Sequence, residues 1–244
     1  MKKLSVVYRT YSGETNGQLN PQRPAWFCKK RAFRSFYNSF GEKADIHILW
    51  DGTDLDSPFF QYLSSFKLAK IHQFDKLGNQ ASLSKTYDIL EETGSPFVMT
   101  QEDDYYFLDN SYQILIEGLH QFQSQLVYLY DCPHRYLPEY KDVTFGKEYI
   151  SATQNSYWRT SESIMCSVAM SAELLKDIKP MLNYFCKKGQ GGPNDRESYR
   201  YFLNNGIRVW TPMPTRCTHA VTTDLSLFVD WAKYNTEIGK NYIS

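Results

Sequence analysis

Short apolar runs alternate with amphipathic stretches along the first half of this chain. Leu4 to Thr10 predicts a strand, and apolar residues from Trp26 to Phe40 recur at helical spacing. We expect that helix to begin at Pro24, since proline suits a first turn, and to end at Gly41. Single helices between strands imply right-handed crossovers and a mainly parallel sheet. Further strands are predicted at Ile46 to Trp50, Lys70 to Phe74, Phe97 to Thr100 and Leu126 to Tyr130, with helices from about Ser82 and Ser111.

The periodicity weakens after Asp131. The following segment, up to residue 165, is rich in Pro, Tyr, Ser and Thr and has little pattern. No internal repeat or low-complexity linker divides the chain, so we expect one domain. The later predictions are a strand at Ile164 to Met170, a helix face from Leu174 to Phe185, a helix that starts at Asp195 after a glycine-rich loop, a strand at Ile207 to Trp210, and a C-terminal helix docked through Phe228 and Trp231.

The composition is that of an ordinary globular protein. Of 244 residues, 42% are apolar and 22% charged, and Lys+Arg and Asp+Glu number 27 each. No global field therefore recruits nucleic acid or an anionic membrane. The five cysteines lack CxxC spacing, which favours reduced thiols over a zinc site or a disulfide framework. No signal peptide and no apolar run of roughly 20 residues is visible, so we expect a soluble cytoplasmic protein without a transmembrane segment.

Three consecutive acids follow the apolar strand at Phe97. They are Glu102, Asp103 and Asp104, here called the acidic triplet. Acids at the exit of a buried parallel strand lie on the sheet edge where open α/β folds bind ligands. Because adjacent carboxylates repel one another, a divalent cation among them would help to keep all three ionised. The alternative is a solvated acidic turn or a helix N-cap.

Four further positions have both a structural and a functional interpretation. Asp51 follows a strand and is either a routine turn residue or an acceptor for a nucleobase or ribose. Asp195 is either a helix N-cap or a carboxylate facing a pocket. His219 is either a structural histidine or a metal ligand. Trp158 and Arg159 form either a surface stack or a platform for a sugar ring.

Two phosphate-binding motifs are absent from the sequence. It contains neither G-x-x-x-x-G-K-[ST] nor G-x-G-x-x-G after the first strand. A P-loop protein and a glycine-fingerprint dinucleotide fold are therefore disfavoured. Without such a loop, a bound diphosphate needs a metal to neutralise it, which again favours the acidic triplet as a metal site.

Several short segments together resemble the GT-A fold glycosyltransferases of the compact type found in bacteria and large algal viruses. The resemblance implies an α/β Rossmann-type, mainly parallel sheet flanked by helices, in one domain of residues 1–244. Its nucleotide-binding half would span residues 1–131, and an acceptor-side elaboration residues 132–244. The matching segments are Tyr8-Arg9-Thr10, Arg23-Pro24-Ala25-Trp26-Phe27, Trp50-Asp51-Gly52, Glu102-Asp103-Asp104-Tyr105, Tyr157-Trp158-Arg159, Asn194-Asp195-Arg196-Glu197, Pro212-Met213-Pro214 and Thr218-His219.

The resemblance also implies a function. It points to a metal-dependent glycosyltransferase that moves a sugar from a nucleoside-diphosphate sugar, with UDP expected, to a hydroxyl of a glycan acceptor with inversion. Glu102 departs from the commoner Asp, which leaves the role of this first acid open. The roles implied are contacts to the nucleotide sugar by Arg9, Thr10, Asp51, Glu102 and Asp103, binding of Mn²⁺ or Mg²⁺ by Asp104 and His219, general-base catalysis by Asp195, and acceptor binding by Trp158 and Arg159.

Two other classes of protein remain open. A metal-dependent nucleotidyltransferase or phosphohydrolase could use the same acidic triplet, and would release pyrophosphate or phosphate without transferring a sugar. A non-catalytic module that binds sugar nucleotides could share the fold and lack turnover. Sequence alone identifies neither the donor sugar nor the acceptor.

Overall fold

The structure of this protein, a computed structural model, describes residues 2–67, 69–136, 147–161, 167–188 and 194–240. The strands are β1 Leu4–Thr10, β2 Asp45–Asp51, β3 Ala69–Phe74, β4 Phe97–Glu102, β5 Tyr105–Phe107, β6 Leu126–Val127, β7 Ile150–Ala152, β8 Tyr157–Ser161, β9 Ala169–Ser171, β10 Val209–Met213 and β11 Cys217–His219. The helices are α1 Lys29–Phe40, α2 Pro58–Ser64, α3 Gly78–Glu92, α4 Ser111–Gln121, α5 Ala172–Lys188, α6 Asp195–Asn204 and α7 Trp231–Lys240.

One large sheet organises the chain. Its strand order is β3-β2-β1-β4-β9-β6-β10-β8-β7. The run from β3 to β4 is parallel throughout, and β6 pairs in parallel with β10. β9 runs antiparallel between β4 and β6, and β7 and β8 form an antiparallel hairpin at the edge. The expected α/β class, with a mostly parallel central sheet flanked by helices, is confirmed.

The strand order reverses direction between β1 and β4. From β1 the chain crosses over to β2 and β3 on one side, and only then returns to place β4 on the other side of β1. Open α/β sheets bind ligands in the crevice at such a switch point, beyond the carboxyl ends of the strands. At this end of the two strands Arg9, the penultimate residue of β1, lies opposite Glu102, the last residue of β4.

Aromatic packing between α1 and the sheet anchors this edge. Phe33, Phe36 and Phe40 lie on the inner face of α1 and are fully buried, as the helical spacing predicts. The Phe33 ring meets the buried Tyr8 ring of β1 edge-on at 5.0 Å. Each such side chain contributes roughly 1.5–3 kcal/mol through burial. The packing holds the end of β1, and with it Arg9, in a fixed position.

A second, two-stranded sheet extends beyond the switch point. β5 follows the acidic triplet directly and pairs antiparallel with β11, so that His219 lies opposite Tyr105. Behind it, Phe27, Tyr106 and Trp231 belong to a small core under α7. The chain therefore returns more than 100 residues later to set His219 beside the acids. None of the described helices is both long enough and apolar enough to cross a membrane.

Some predicted element boundaries were wrong. Helix α1 begins at Lys29 instead of Pro24, because Pro24 lies in a turn whose carbonyl accepts the Phe27 N–H at 2.9 Å. Phe228 does not dock, since it is 90% exposed, whereas Trp231 is buried. The patternless segment contains β7 and β8, which the sequence did not predict. Residues 164–166, the first part of the strand predicted at 164–170, and the glycine-rich stretch at 189–193 lie outside the described residues.

Candidate functional site

A cavity of about 580 Å³ opens at the carboxyl ends of β1, β2 and β4. Its walls come from strand ends that are far apart in the sequence. Parallel pairing brings these ends to one edge of the sheet, as the strand pattern predicts. Six of the predicted site residues line this cavity: Arg9, Thr10, Asp51, Glu102, Asp103 and Asp104.

Asp104 and His219 form the centre of the site. The His219 Nε2 atom lies 3.2 Å from Asp104 Oδ2, and both residues are buried. Together with Glu102 they offer ligand atoms that all lie within 4.8 Å of one another. The other carboxylate oxygen of Asp104, Oδ1, is buried and has no hydrogen-bond partner among the described residues. Two carboxylates, an imidazole and an unsatisfied buried oxygen fit a divalent cation.

Burial and neighbouring charges shift the pKa values of these groups in different directions. Burial raises the pKa of Glu102 above its ordinary value, against the opposing effect of Arg9. For Asp104 burial also acts upward, but His219 and Arg23 hold the pKa of this carboxyl well below its usual range. Burial would lower the pKa of His219, yet Asp104 raises it above the ordinary value. The Asp104–His219 pair therefore favours carboxylate and imidazolium.

Each acid of the triplet is also paired with a cation of this chain, which the sequence did not indicate. Because the acids are neutralised in this way, their mutual repulsion does not by itself require a metal. Lys29 is fully buried, and Arg23 comes from the polar loop before α1, where no periodicity marks it. The ion pairs are Glu102 with Arg9, Asp103 with Lys29 at 2.7 Å, and Asp104 with Arg23 at 3.1 Å.

Arg9 and Thr10, at the end of β1, hold the acidic triplet from the neighbouring strand. The Thr10 hydroxyl donates to Asp103 Oδ2 at 2.5 Å. Besides its ion pair with Glu102, Arg9 donates from Nη1 to Asn79 Oδ1 at 2.6 Å and to the Ser82 hydroxyl at 3.0 Å. Arg9 thus ties the acids to the first turn of α3.

Asp51 lies at the end of β2 and binds the start of α3. Its two carboxylate oxygens accept the backbone N–H groups of Leu77 at 2.6 Å and Gly78 at 2.8 Å. The carboxylate satisfies two of the donors that a helix N-terminus leaves unpaired. Since each oxygen can accept a further hydrogen bond, this capping role does not prevent contact with a ligand in the cavity.

Asp195 is the first residue of α6, but it is not the N-cap. The cap is Asn194, whose side chain accepts the Glu197 N–H at 3.2 Å. Burial raises the pKa of the Cys186 thiol to about 11, with Arg9 acting against the rise and Asp195 adding to it. Cys186 therefore lies within electrostatic range of both. Asp195 itself does not line the cavity at the switch point.

The expected sugar platform at Trp158 is corrected by the structure. Trp158 is completely buried in β8, where its Nε1 donates to Thr153 Oγ1 at 3.0 Å, so neither ring face is open to a sugar. Arg159 is also buried and forms an ion pair with Asp131. Exposed rings nearby belong to Tyr157, 67% exposed, and to Tyr136, 51% exposed. The sequence did not predict β8, and so missed which of these side chains face inward.

A second cavity, of about 590 Å³, lies near the opposite end of β4. Phe97, the first residue of that strand, lines it together with His120, Lys3 and Glu173. None of the predicted site residues contributes to its walls. Among the described residues, the predicted site residues that line a cavity therefore lie at the one beside the switch point.

This chain is similar to known proteins in structure and not detectably in sequence. No family model matches the sequence, and no curated protein gives a significant match. GalNAc-T7 with UDP, GalNAc and Mn²⁺ aligns with a TM-score of 0.57 and 12% identity, over 89% of this chain and 43% of its own. CMP:2-keto-3-deoxy-manno-octonic acid synthetase complexed with CTP aligns with a TM-score of 0.51 and 10% identity, over 98% of this chain and 100% of its own.

A third solved structure, from Desulfovibrio desulfuricans G20, is assigned as a nucleotide-diphospho-sugar transferase. It aligns with a TM-score of 0.51 and 10% identity, over 86% of this chain and 80% of its own. Identities this low establish the fold and nothing finer. This chain therefore has a GT-A-like α/β fold.

Proposed function

We propose that this protein is a metal-dependent glycosyltransferase that uses a nucleoside-diphosphate sugar, with UDP as the nucleotide. The observation that carries the proposal is the cluster of Glu102, Asp104 and His219 beside a cavity at the switch point of the sheet. The likeness to GalNAc-T7, which was solved with UDP, GalNAc and Mn²⁺, supports this choice of ligands. Residues 1–131 would supply the donor side, and residues 132–244 the acceptor side.

The donor would lie along the carboxyl ends of β1, β2 and β4. Asp51 would accept hydrogen bonds from the nucleobase or ribose through the lone pairs that α3 leaves available. Arg9 and Thr10, which already bind the acidic triplet, would orient it toward the diphosphate. The cavity of about 580 Å³ is within the usual range for a small-molecule site.

Asp104 and His219, with Glu102 beside them, would hold the cation. Carboxylate ligands suit Mg²⁺ and Mn²⁺, and the imidazole favours the transition ion, so we assign Mn²⁺. His219 must lose its proton to bind through Nε2, and Asp104 offers the unsatisfied Oδ1. A divalent cation in this position stabilises the negative charge that develops on a leaving nucleoside diphosphate.

Asp195 would act as the general base of an inverting displacement. The acceptor hydroxyl oxygen attacks the anomeric carbon and forms the new glycosidic bond as the bond to the diphosphate oxygen breaks. The hydroxyl proton passes to the Asp195 carboxylate, and the bonding electron pair leaves with the nucleoside diphosphate. Its place as the first residue of α6, directly after a glycine-rich stretch of the sequence, supports this role.

The acceptor side would be formed by exposed tyrosines in place of Trp158. Tyr157 lies opposite Met213, the last residue of β10, and so faces the same sheet edge as the donor cavity. The Tyr136 hydroxyl donates to Asp131 Oδ2 at 2.6 Å, next to the ion pair with Arg159. Arg159 would position these rings, which offer the apolar faces that sugar rings stack on.

Binding measurements test the donor assignment. UDP should raise the unfolding temperature, and Mn²⁺ should increase the rise, because a ligand that binds only the folded state stabilises it by mass action. CDP, ADP and GDP are the matched controls for the base. No stabilisation by UDP with or without Mn²⁺ would overturn the proposal.

Turnover measurements separate the enzyme from its alternatives. The full-length likeness to a synthetase complexed with CTP makes a nucleotidyltransferase the second candidate. That activity would release pyrophosphate from a nucleoside triphosphate, whereas a glycosyltransferase releases UDP from a UDP-sugar. Binding of the UDP-sugar without any release of UDP would identify a non-catalytic module.

A further inference from the structure

Arg23 differs from the other cations that neutralise the acidic triplet. Lys29 is fully buried and is fixed by Asp103 and by the carbonyl of Tyr11 at 3.2 Å. Arg9 is fixed by the start of α3 as well as by Glu102. Arg23, in contrast, belongs to the loop before α1 and reaches from the rim of the cavity to its floor.

The two sides of the Arg23 guanidinium group have different partners. At the floor, Nη1 donates to Asp104 Oδ2 at 3.1 Å and to the carbonyl of Ala220 at 3.2 Å. At the rim, Nε and Nη2 each lie 3.1 Å from Glu14 Oε2. The Glu14 side chain is 38% exposed, and its φ of 52° lies in the left-handed region that non-glycine residues rarely adopt. The outer partner of Arg23 is thus accessible to solvent.

Arg23 and a divalent cation would act on the same carboxylate. Asp104 Oδ2 already accepts from Arg23 and lies beside His219 Nε2. A metal bound by Asp104 and His219 would therefore lie next to the guanidinium, and two cations repel strongly at a buried site. A diphosphate relieves this repulsion, because its oxygens can accept the N–H groups of arginine in pairs.

We propose that Arg23 makes binding of the metal and of the diphosphate interdependent. This inference rests on the proposed function. Without nucleotide, the Arg23 guanidinium is paired with the Asp104 carboxylate, and its positive charge disfavours binding of the metal ion there. With nucleotide, the diphosphate takes the Arg23 N–H donors from Asp104 Oδ2, and the carboxylate is released to the metal. Arg23 is accordingly a positioning residue whose charge, more than its hydrogen bonds, sets the coupling between metal and diphosphate.

Titration calorimetry on two substitutions of Arg23 tests the role of the charge. Arg23→Gln removes the charge and keeps N–H donors, whereas Arg23→Lys keeps the charge. For the original protein, Mn²⁺ affinity should rise in the presence of UDP by roughly 5- to 150-fold, the usual range of coupling between two sites. In Arg23→Gln, Mn²⁺ should bind more tightly without UDP, and the coupling factor should fall toward one. Arg23→Lys should retain weak binding of Mn²⁺ alone and most of the coupling.

Two controls keep the outcomes distinct. Arg34→Gln removes an arginine that donates to Tyr62 on α2, away from the cavity, and should leave the coupling unchanged. Urea unfolding of each variant shows whether it is folded under the conditions of the titration. If Arg23→Gln binds Mn²⁺ alone no more tightly than the original protein, the inference is wrong while the proposed function stands. If the original protein binds neither UDP nor Mn²⁺, both the inference and the proposed function are wrong.

Discussion

His219 and Tyr105 lie opposite each other on β11 and β5, with their rings stacked 4.4 Å apart and 4° from parallel. Tyr105 directly follows Asp104, so the pairing of these strands sets the imidazole beside the carboxylate. A hydrogen bond from the Ala220 N–H to the Asp104 carbonyl, at 2.8 Å, extends the pairing by one residue. The backbone therefore holds the candidate metal ligands together before any ion binds.

Asp104→Asn should weaken metal-dependent binding of UDP. The substitution removes the ligand charge and leaves Arg23 and His219 facing a neutral amide. We expect the Mn²⁺-dependent part of the UDP affinity to fall by at least about 10-fold, the lower end of what supporting residues of metal sites contribute. Calorimetry with and without Mn²⁺ measures it, and Asp109→Asn, an exposed position on the same stretch, is the control. An unchanged response to Mn²⁺ in Asp104→Asn would remove this residue from the ligand set.

Two substitutions at Asp51 separate its structural role from ligand binding. Asp51→Ala removes the acceptor for the Leu77 and Gly78 N–H groups and should cost about 0.5–2 kcal/mol of stability, as the loss of a helix cap does. Asp51→Asn should retain most of that stability. Both variants should bind UDP more weakly even without metal. If only the alanine variant loses affinity, Asp51 acts through α3 alone.

Asp195→Asn should reduce turnover and leave binding intact. The cap of α6 is Asn194, so stability should barely change. Transfer should slow by roughly 10²–10⁴-fold, the usual contribution of a general base, while donor and Mn²⁺ affinities persist. Asp177→Asn on the exposed face of α5 is the matched control. Retained activity would move the base elsewhere, with Glu197 next, and a product of retained anomeric configuration would exclude an inverting mechanism.

Gly118→Ala should destabilise the protein although alanine favours helices. A methyl group at this position in α4 would lie 2.5 Å from Trp158 Cη2. The indole cannot easily move away, because its Nε1 donates a hydrogen bond to Thr153 Oγ1. Overpacking costs about 1–3 kcal/mol, against a gain of about 1 kcal/mol in helix propensity. Trp158→Phe opens space there, so the double variant should lose less than the sum of the single ones in urea unfolding. Additive losses would show that the two positions do not clash.

The stability that the His47–His72 pair contributes should fall as the pH drops from 7.5 to 5.5. His47 Nδ1 lies 2.9 Å from His72 Nε2, an arrangement in which one neutral ring donates to the other. Burial lowers the pKa of His47, with Asp45 opposing and Lys70 assisting, and burial also lowers the pKa of His72, with His47 assisting and Glu92 opposing. As the pH falls, these histidines therefore bind protons at a higher pH in the unfolded chain than in the folded one. The stability that the pair contributes above pH about 6.5 is lost below it.

Substitution of one ring provides the control for this pH dependence. His72→Gln removes one titrating imidazole and its effect on the pKa of His47, so the free energy of unfolding should fall less between pH 7.5 and 5.5 in this variant than in the original protein. Urea unfolding at pH 7.5, 6.5 and 5.5 gives both slopes. Equal slopes would show that this pair does not carry the dependence.

The donor side of the cavity could be predicted from the sequence because its residues end regular strands. Arg9, Asp51 and Glu102 each close a buried apolar run, and the carboxyl ends of parallel strands meet at one edge. Arg23 could not be predicted in the same way, since it lies in a polar loop with no periodicity. Its position is decided by Asp104, 81 residues away, through an ion pair.

The acceptor side was less predictable because its strands are short. β7 and β8 have three and five residues, too few for an apolar alternation to stand out in a stretch rich in Tyr, Ser and Thr. Trp158 is consequently buried under Gly118, whereas an exposed platform was expected. Pairing of β8 with β10, in which Trp158 lies opposite Pro212, decides which side chains of β8 face inward.

The buried ion pair between Lys29 and Asp103 constrains how this sequence can evolve. Removing either partner leaves the other charge buried without compensation, at a cost of about 3–5 kcal/mol, whereas removing both for apolar residues can be neutral. A single substitution at either position therefore destabilises the fold, whereas a paired substitution of both residues can be tolerated. Across a set of relatives, positions 29 and 103 should covary, and a genealogy would show them changing on the same branches.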